Sequence, residues 1–428
     1  MSTVIQSSAP QADQATLAAA ANAVRGIVAS AQDSCTNQPH PTLLALPQMA
    51  EQVAQEVNGS EERGYITDKA AQLLREAGVV RMLQPKDFGG DEAHPRDFYE
   101  VLMELTARAP SIGWVSGVVG VHPFEFAQAD RRVQEEVWGQ DKDTWIASPY
   151  AFIGRAKRVE GGYIFNGQWP FSSGTDHCDW VVLGGRAEVE GGAENEFVEM
   201  RHFILPRKDY QILQDSWQVM GLSGTGSKDV VVKDAFVPEY RTLTVSGLNG
   251  REYASKNRPG SALYQVPFDL LFPGAIAAAT IGIADGVVRH FSDYSRDRVS
   301  RMGVKATQNP YHMSALGAAI ADIDAAKLQV LTDITAAYEA AKRGEWITEV
   351  MQARARVHQV RAVHRAAEAA ANVFKSAGGN ANRLSNPIQR QWRDLSVALG
   401  HACNVEDPVY AAFAGSLYGI PKPAGVII

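Results

Sequence analysis

Cysteine is scarce in this chain, with three in 428 residues, at Cys35, Cys178 and Cys403. Their odd number and wide spacing make neither a disulfide framework nor a CxxC pair for metal or redox work, and a reducing, cytoplasmic setting fits best. Basic runs are missing as well. Forty-one Lys and Arg against 48 Asp and Glu give a formal net charge of −7, with no cluster to neutralise a phosphate backbone, so nucleic acid is not expected as a partner. The most apolar stretch, "LLFPGAIAAATIGIADGVV", is made of small residues, carries a Pro and an Asp, and is short for a membrane span. It reads as a buried helix, and no membrane partner is expected. The N-terminus, "MSTVIQSSAPQADQATLAAAANAVRG", lacks the basic-then-apolar order of a signal peptide. Also absent are HExxH, the GxSxG elbow, the Walker loop and a Gly-rich loop between a strand and a helix.

What is present is ample apolar material. With 45% hydrophobic and 21% charged residues the chain can bury a large core and form more than one domain. Residues 1–44 read as a flexible Ala-, Gln- and Ser-rich leader. Residues 45–145 carry helical spacing: in "ITDKAAQLLREAGVV", Thr67 or Asp68 can cap a start, Ala70, Ala71, Leu73, Leu74 and Ala77 make an apolar face, and Gly78 suits a left-handed stop. Phe98, Leu102 and Leu105 continue the pattern, which Pro110 and Gly113 are expected to break. Across 146–260 the punctuation is that of strands. "RVEGGYIFNGQW" is a hairpin with Gly161-Gly162 as its turn, followed by "DWVVLGG", "RHFILP" and "DVVVKDAFVP". From 261 to 428 long helices return, Leu316, Ile320, Ile323, Val330, Ile334 and Tyr338 marking one face. Helices, strands and helices in blocks give a segregated α+β fold, not the alternation of a doubly wound sheet.

Three stretches combine rings, small residues and hydroxyl or imidazole groups at segment junctions: "GWVSGVVGVHP", "WIASPYAFIG" and "WPFSSGTDHCDW". From local pattern alone Ser172, Ser173 and Gly174 read as a strand-end turn, His122 as a core histidine, and Arg298 as an exposed helical charge. Asp176 and His177 have no further ligand at metal spacing, so no metal site is expected and a structural role suits them. "GLSGTGSKD" is glycine-rich, but a strand follows it, and phosphate binding needs a helix N-terminus. Cys403 reads as a packed thiol.

Taken together, "LQPKDFGG", "GWVSGVVGVH", "EEVWG", "NGQWPFSSGTDHCDW", "VMGLSGTGSKDVVVKDAFVP", "PIQRQWRD" and "GHACNVEDP" carry a resemblance over residues 45–428. The chain resembles the oxygenase components of two-component flavin-dependent aromatic monooxygenases, built on the acyl-CoA dehydrogenase fold. Within that family it is closest to those acting on the phenolic ring of a seco-steroid and on p-hydroxyphenylacetate. The resemblance implies an N-terminal helical domain, a middle β-barrel-like domain and a C-terminal four-helix bundle. It implies reduced FMN or reduced FAD supplied by a separate NAD(P)H-dependent flavin reductase, O₂ as co-substrate, ortho-hydroxylation of a phenol through a flavin C4a-hydroperoxide, and a homotetramer. Ser173 then corresponds to the hydroxyl at the flavin N5, with Trp114, Phe171 and Ser172 lining the ring. His122 and Ser148 match the pair that meets the phenol oxygen, and His401 the histidine near the flavin C4a. Arg298 matches an arginine at the flavin phosphate, while Ala377 and Gly378 match a segment approaching the flavin from the bundle. Residue types leave alternatives open: an acyl-CoA dehydrogenase, for which Glu406 or Asp407 would be the base, a hydroxylase of an indole or other heteroaromatic ring, or a silent ligand-binding relative.

Overall fold

The computed structural model describes residues 39–189, 191, 196–300, 303–421 and 423; most of the expected leader and Cys35 lie outside them. The first helix, α1 (Pro41–Ala54), begins inside the stretch read as leader, because Pro41 starts the helix and the His40 ring caps it by accepting from the Thr42 amide. Buried Thr42 fastens it by donating its hydroxyl to the Ala77 carbonyl. Helices α2 (Val57–Arg63) and α3 (Asp68–Glu76) follow. Thr67 caps α3 by accepting from the Ala70 amide at 3.0 Å, and Gly78 follows in the left-handed conformation.

Helices α4 (Pro95–Arg108) and α5 (Pro110–Phe126) form a tight hairpin. The break falls at Ala109, whose φ of −141° leaves helical space ahead of Pro110. Gly113 does not break the chain but lies inside α5, where a Cβ would stand 2.6 Å from the Thr106 amide nitrogen. All of α5 is buried, so it has no solvent face and runs as a central strut. Helix α6 (Arg131–Trp138) completes this layer.

Strands β1 (Ile146–Ala147), β2 (Gly154–Val159), β3 (Gly162–Ser172), β4 (Trp180–Glu188), β5 (Phe197–Pro206), β6 (Gln211–Leu213), β7 (Lys228–Pro238) and β8 (Thr242–Thr244) make one sheet. Its order is β6-β7-β3-β2-β4-β5-β8, with β1 beside β4. The path runs from β6 to β8 without closing among the described residues, so it is an open curved sheet and not a sealed barrel. Val159 pairs Gly162, so the hairpin turn is Glu160-Gly161 and not Gly161-Gly162. Gly161 supplies the positive φ, while a Cβ on Gly162 would overlap the Val237 carbonyl of neighbouring β7.

Short helices α7 (Val245–Asn249) and α8 (Glu252–Asn257) lead to the bundle: α9 (Phe268–Asp297), α10 (Pro310–Lys342), α11 (Glu349–Ala377) and α12 (Pro387–Leu399), then α13 (Asp407–Ser416). Helix α9 is long and apolar enough to cross a membrane, yet its most apolar window is wholly buried inside the protein. It packs against α4 and α5 on one side and α10, α11 and α12 on the other. On α10 the expected face holds at Ile323, Val330 and Ile334, but Ile320 is exposed, the burial there falling on Ala319 instead.

Candidate active site

Helix α5 is the spine of the site. Val115, Val119 and His122 recur at i, i+4 and i+7 and share one face, against which Gly174 is pressed so closely that a Cβ there would lie 2.7 Å from Val115 Cγ1 and 3.1 Å from Val119 Cγ2. Gly174 also needs its φ of 71°. Glycine is therefore required twice over at the end of the Ser-Ser-Gly turn.

The turn is built on a bulge. Trp169 pairs Val230 and Ser172 pairs Lys228, so β3 spends one more residue than β7, and Phe171 takes up the excess at φ 69°. Trp169 stays in the core, its indole N–H shared between the Ala151 and Gly184 carbonyls. Beyond the bulge the alternation is reset. Phe171 turns outward, 67% exposed with its ring edge-on to Trp217, whereas Ser172 and Ser173 turn in. The Ser172 hydroxyl is buried with no partner. Ser173 Oγ lies 2.7 Å from Ser227 Oγ, which lies 2.7 Å from Thr225 Oγ1, a chain of three hydroxyls.

His122 is fully buried, and its Nδ1 is 2.6 Å from the Ile146 carbonyl. A carbonyl only accepts, so Nδ1 carries the proton. Burial pushes the ring's pKa down to about 4, leaving it neutral, with a lone pair on Nε2, a buried atom that has no partner. Ser148 is buried just after β1. From His122 a run of ring contacts crosses the site: to Tyr150 at 5.7 Å, on to Phe272 at 5.1 Å, to His401 at 6.3 Å and to Trp114 at 5.6 Å. Three of the sequence candidates, Trp114, His122 and His401, are thereby linked through Tyr150 and Phe272.

His401 is held differently. It ends the turn after α12, and its Nδ1 accepts the Cys403 amide at 3.2 Å, so its proton sits on Nε2. Apolar surroundings, with the Arg356 charge second, push its pKa down to about 4. Buried Arg356 fixes the loop by donating to the Cys403 carbonyl, and the Asn404 amide donates to Ala398 O and Thr280 Oγ1. Sequence reasoning missed Arg356, Tyr150, Phe272, Glu125 and His202; only long-range packing brings them here.

Arg298, Ala377 and Gly378 form a second group. Arg298 lies just past α9, not on a helical face, donates to the Ser376 carbonyl at 2.9 Å, and would stand 2.6 Å from a Cβ at Gly378. Ala377 is fully buried. Asp176 and His177 have structural partners, Lys228 Nζ at 2.6 Å and the Ile66 carbonyl at 2.8 Å. The Gly221–Asp229 stretch is a loop leading into β7, tied down by Glu61 and Asp394. Burial raises the Cys403 thiol to about 11, so it stays protonated. Glu406 accepts from Tyr410 and faces His364, away from the ring chain.

A helical layer, an open sheet and a four-helix bundle, with buried hydroxyls and two neutral histidines among them, define a flavoenzyme of the acyl-CoA dehydrogenase fold. Residues 275–406 match the family "Acyl-CoA dehydrogenase, C-terminal domain". A pigment production hydroxylase of Rhodococcus erythropolis is 43% identical over 375 residues, covering 87% of this chain and 94% of the relative. The oxygenase subunit HsaA of a flavin-dependent monooxygenase from Rhodococcus jostii is 36% identical over 364 residues, covering 85% and 94%. The crystal structure of the 3-HSA hydroxylase from Rhodococcus sp. RHA1 superimposes with a TM-score of 0.85 at 34% identity, covering 90% and 98%. The chain belongs to the oxygenase components of the two-component flavin-dependent monooxygenases.

Proposed function

We propose that this enzyme hydroxylates a phenolic ring ortho to its hydroxyl, with His122 as the base that receives the phenol proton. The observation that carries the reading is the buried, unpartnered Nε2 of His122, an acceptor because Nδ1–H is committed to the Ile146 carbonyl. A phenol is the complementary donor, and passing its proton toward Nε2 makes the ortho carbon a better nucleophile. Ser148, buried just after β1, would serve as a second hydroxyl partner.

The residues fit a flavin. The unpartnered Ser172 hydroxyl and the Ser173–Ser227–Thr225 chain suit the alternating donors and acceptors of its ring edge, and the indole of Trp114 suits its flat apolar face. Reduced flavin supplies the electrons that activate O₂. Ser173 would hold its polar edge, Trp114, Phe171 and Ser172 would line the ring, and Arg298, with Ala377 and Gly378, would hold its phosphate using the guanidinium donors not committed to Ser376. The enclosing rings exclude water. Reduced FMN or reduced FAD serves, delivered by a separate NAD(P)H-dependent reductase, as the "oxygenase subunit" name of the relative suggests. A cytoplasmic homotetramer is the expected assembly.

The test is anaerobic loading with reduced FMN or FAD, addition of a phenol panel, and release of ¹⁸O₂. One labelled oxygen in a catechol-type product supports the reading. If oxidised flavin returns as fast as in plain buffer and no phenol gains a label, the reading is wrong.

A further inference from the structure

Behind the ring wall lies a polar trio that the reaction just described does not use. Glu125, one turn beyond His122 on α5, is fully buried. Its Oε2 accepts the Tyr150 hydroxyl at 2.6 Å, and its Oε1 lies 2.6 Å from Nδ1 of buried His202 on β5. A carboxyl group buried this deeply is costly unless each oxygen is satisfied, and here both are.

The trio has a direction. Glu125, His202, His122 and Ser148 are sealed, whereas Tyr150 is only half-buried and alone keeps open surface. Its ring touches His122 at 5.7 Å, Phe272 at 5.1 Å and Phe268 at 5.3 Å, all nearly edge-to-face, and lies 4.6 Å from the His202 ring behind it. With its hydroxyl committed backward, Tyr150 offers the site its ring and not a competing donor for His122 Nε2. The carboxyl also fixes rotation about the tyrosine side chain, which ring packing alone leaves softer.

We propose that Tyr150 is the positioning residue for the aromatic substrate, held against His122 by Glu125 and His202, so that the pocket selects a flat ring whose hydroxyl points at His122. The assignment rests on the hydroxylase reading above and specifies its substrate wall.

The experiment compares full-length wild type, Tyr150→Phe and Glu125→Gln, each holding reduced FMN anaerobically, by calorimetric titration with resorcinol and then by turnover with O₂. Tyr150→Phe keeps the ring but releases it. It is expected to weaken resorcinol binding and raise KM about fivefold, the net size of one hydrogen bond, with kcat nearly unchanged and the melting temperature lowered because Glu125 Oε2 loses its partner. Glu125→Gln still leaves an oxygen for Tyr150 and should stay within about twofold of wild type in affinity. Unchanged binding in Tyr150→Phe overturns the assignment, as does a loss in Glu125→Gln as large as that in Tyr150→Phe. If the wild type hydroxylates no phenol, the hydroxylase reading fails, taking this assignment with it. A wild type that hydroxylates beside an unaltered Tyr150→Phe sinks this assignment alone.

Discussion

His122 and His401 are joined through the rings of Tyr150 and Phe272, and the backbone gives them opposite tautomers. His122 donates through Nδ1 to the Ile146 carbonyl and shows a bare Nε2; His401 accepts through Nδ1 from the Cys403 amide and shows an Nε2–H. Burial keeps both neutral near pH 7, each pushed down to about 4. One histidine offers a hydrogen-bond acceptor and the other a donor. The same residue type is thus made into two tools by a single backbone partner. Their surroundings differ too. His122 sits in a wholly buried helix, whereas His401 is half-buried in a turn held by Arg356 and Asn404.

Exchanging each ring for a neutral amide breaks this contrast. His122→Asn can still donate to Ile146 but has no basic nitrogen, and phenol hydroxylation should fall about 10²–10⁴-fold, the usual range for losing a general base, measured as labelled product per unit time. His401→Asn can still accept the Cys403 amide and loses only the donor, so a smaller loss of about tenfold is expected. Equal losses in the two variants would remove the acceptor–donor distinction. Ser173→Ala tests the third polar wall. Its hydroxyl already has Ser227 as a partner, so product per O₂ consumed should drop by no more than about tenfold, the balance appearing as hydrogen peroxide. A Ser173→Ala variant with unchanged peroxide release would place Ser173 outside the site.

Local features were legible where one stretch decides them. The Thr67 cap, the Gly78 stop and the β2–β3 hairpin follow from neighbours in sequence, although the hairpin turn slid one residue because β7 crowds Gly162. The resemblance supplied His122, Ser148, Trp114 and His401, of which ring contacts link His122, His401 and Trp114. It could not supply Tyr150 with Glu125 and His202, which approach across 25 and 77 residues and leave no periodic trace. Phe171 shows a different gap: a one-residue bulge reverses inward and outward faces, so its ring stands exposed beside Trp217 where the strand alternation gave no sign of it. Ile320 fits a helical face in spacing but is exposed among the described residues.

The two histidines should also differ in how they couple protonation to stability. His122 holds about 4 when folded against 6.5 unfolded, so below pH 6.5 the unfolded chain binds a proton that the native state refuses. The contribution is full above about pH 6.5 and is lost as pH falls toward 4. His94, also lowered to about 4 by burial, adds in the same direction. Asp394 opposes them: burial raises it to about 7, so its contribution is present at low pH and fades as pH rises. The bare pH profile therefore mixes signs, and subtraction isolates one group. Between pH 7 and 5.5 wild type should lose about 1 kcal/mol more than His122→Asn, seen as a melting-temperature gap that narrows by about 1 °C. His401→Asn should narrow it less, because solvent reaches a half-buried imidazole and softens its shift. Equal narrowing would mean that His401 is sealed as deeply as His122, and the contrast between them would then reside in their tautomers alone.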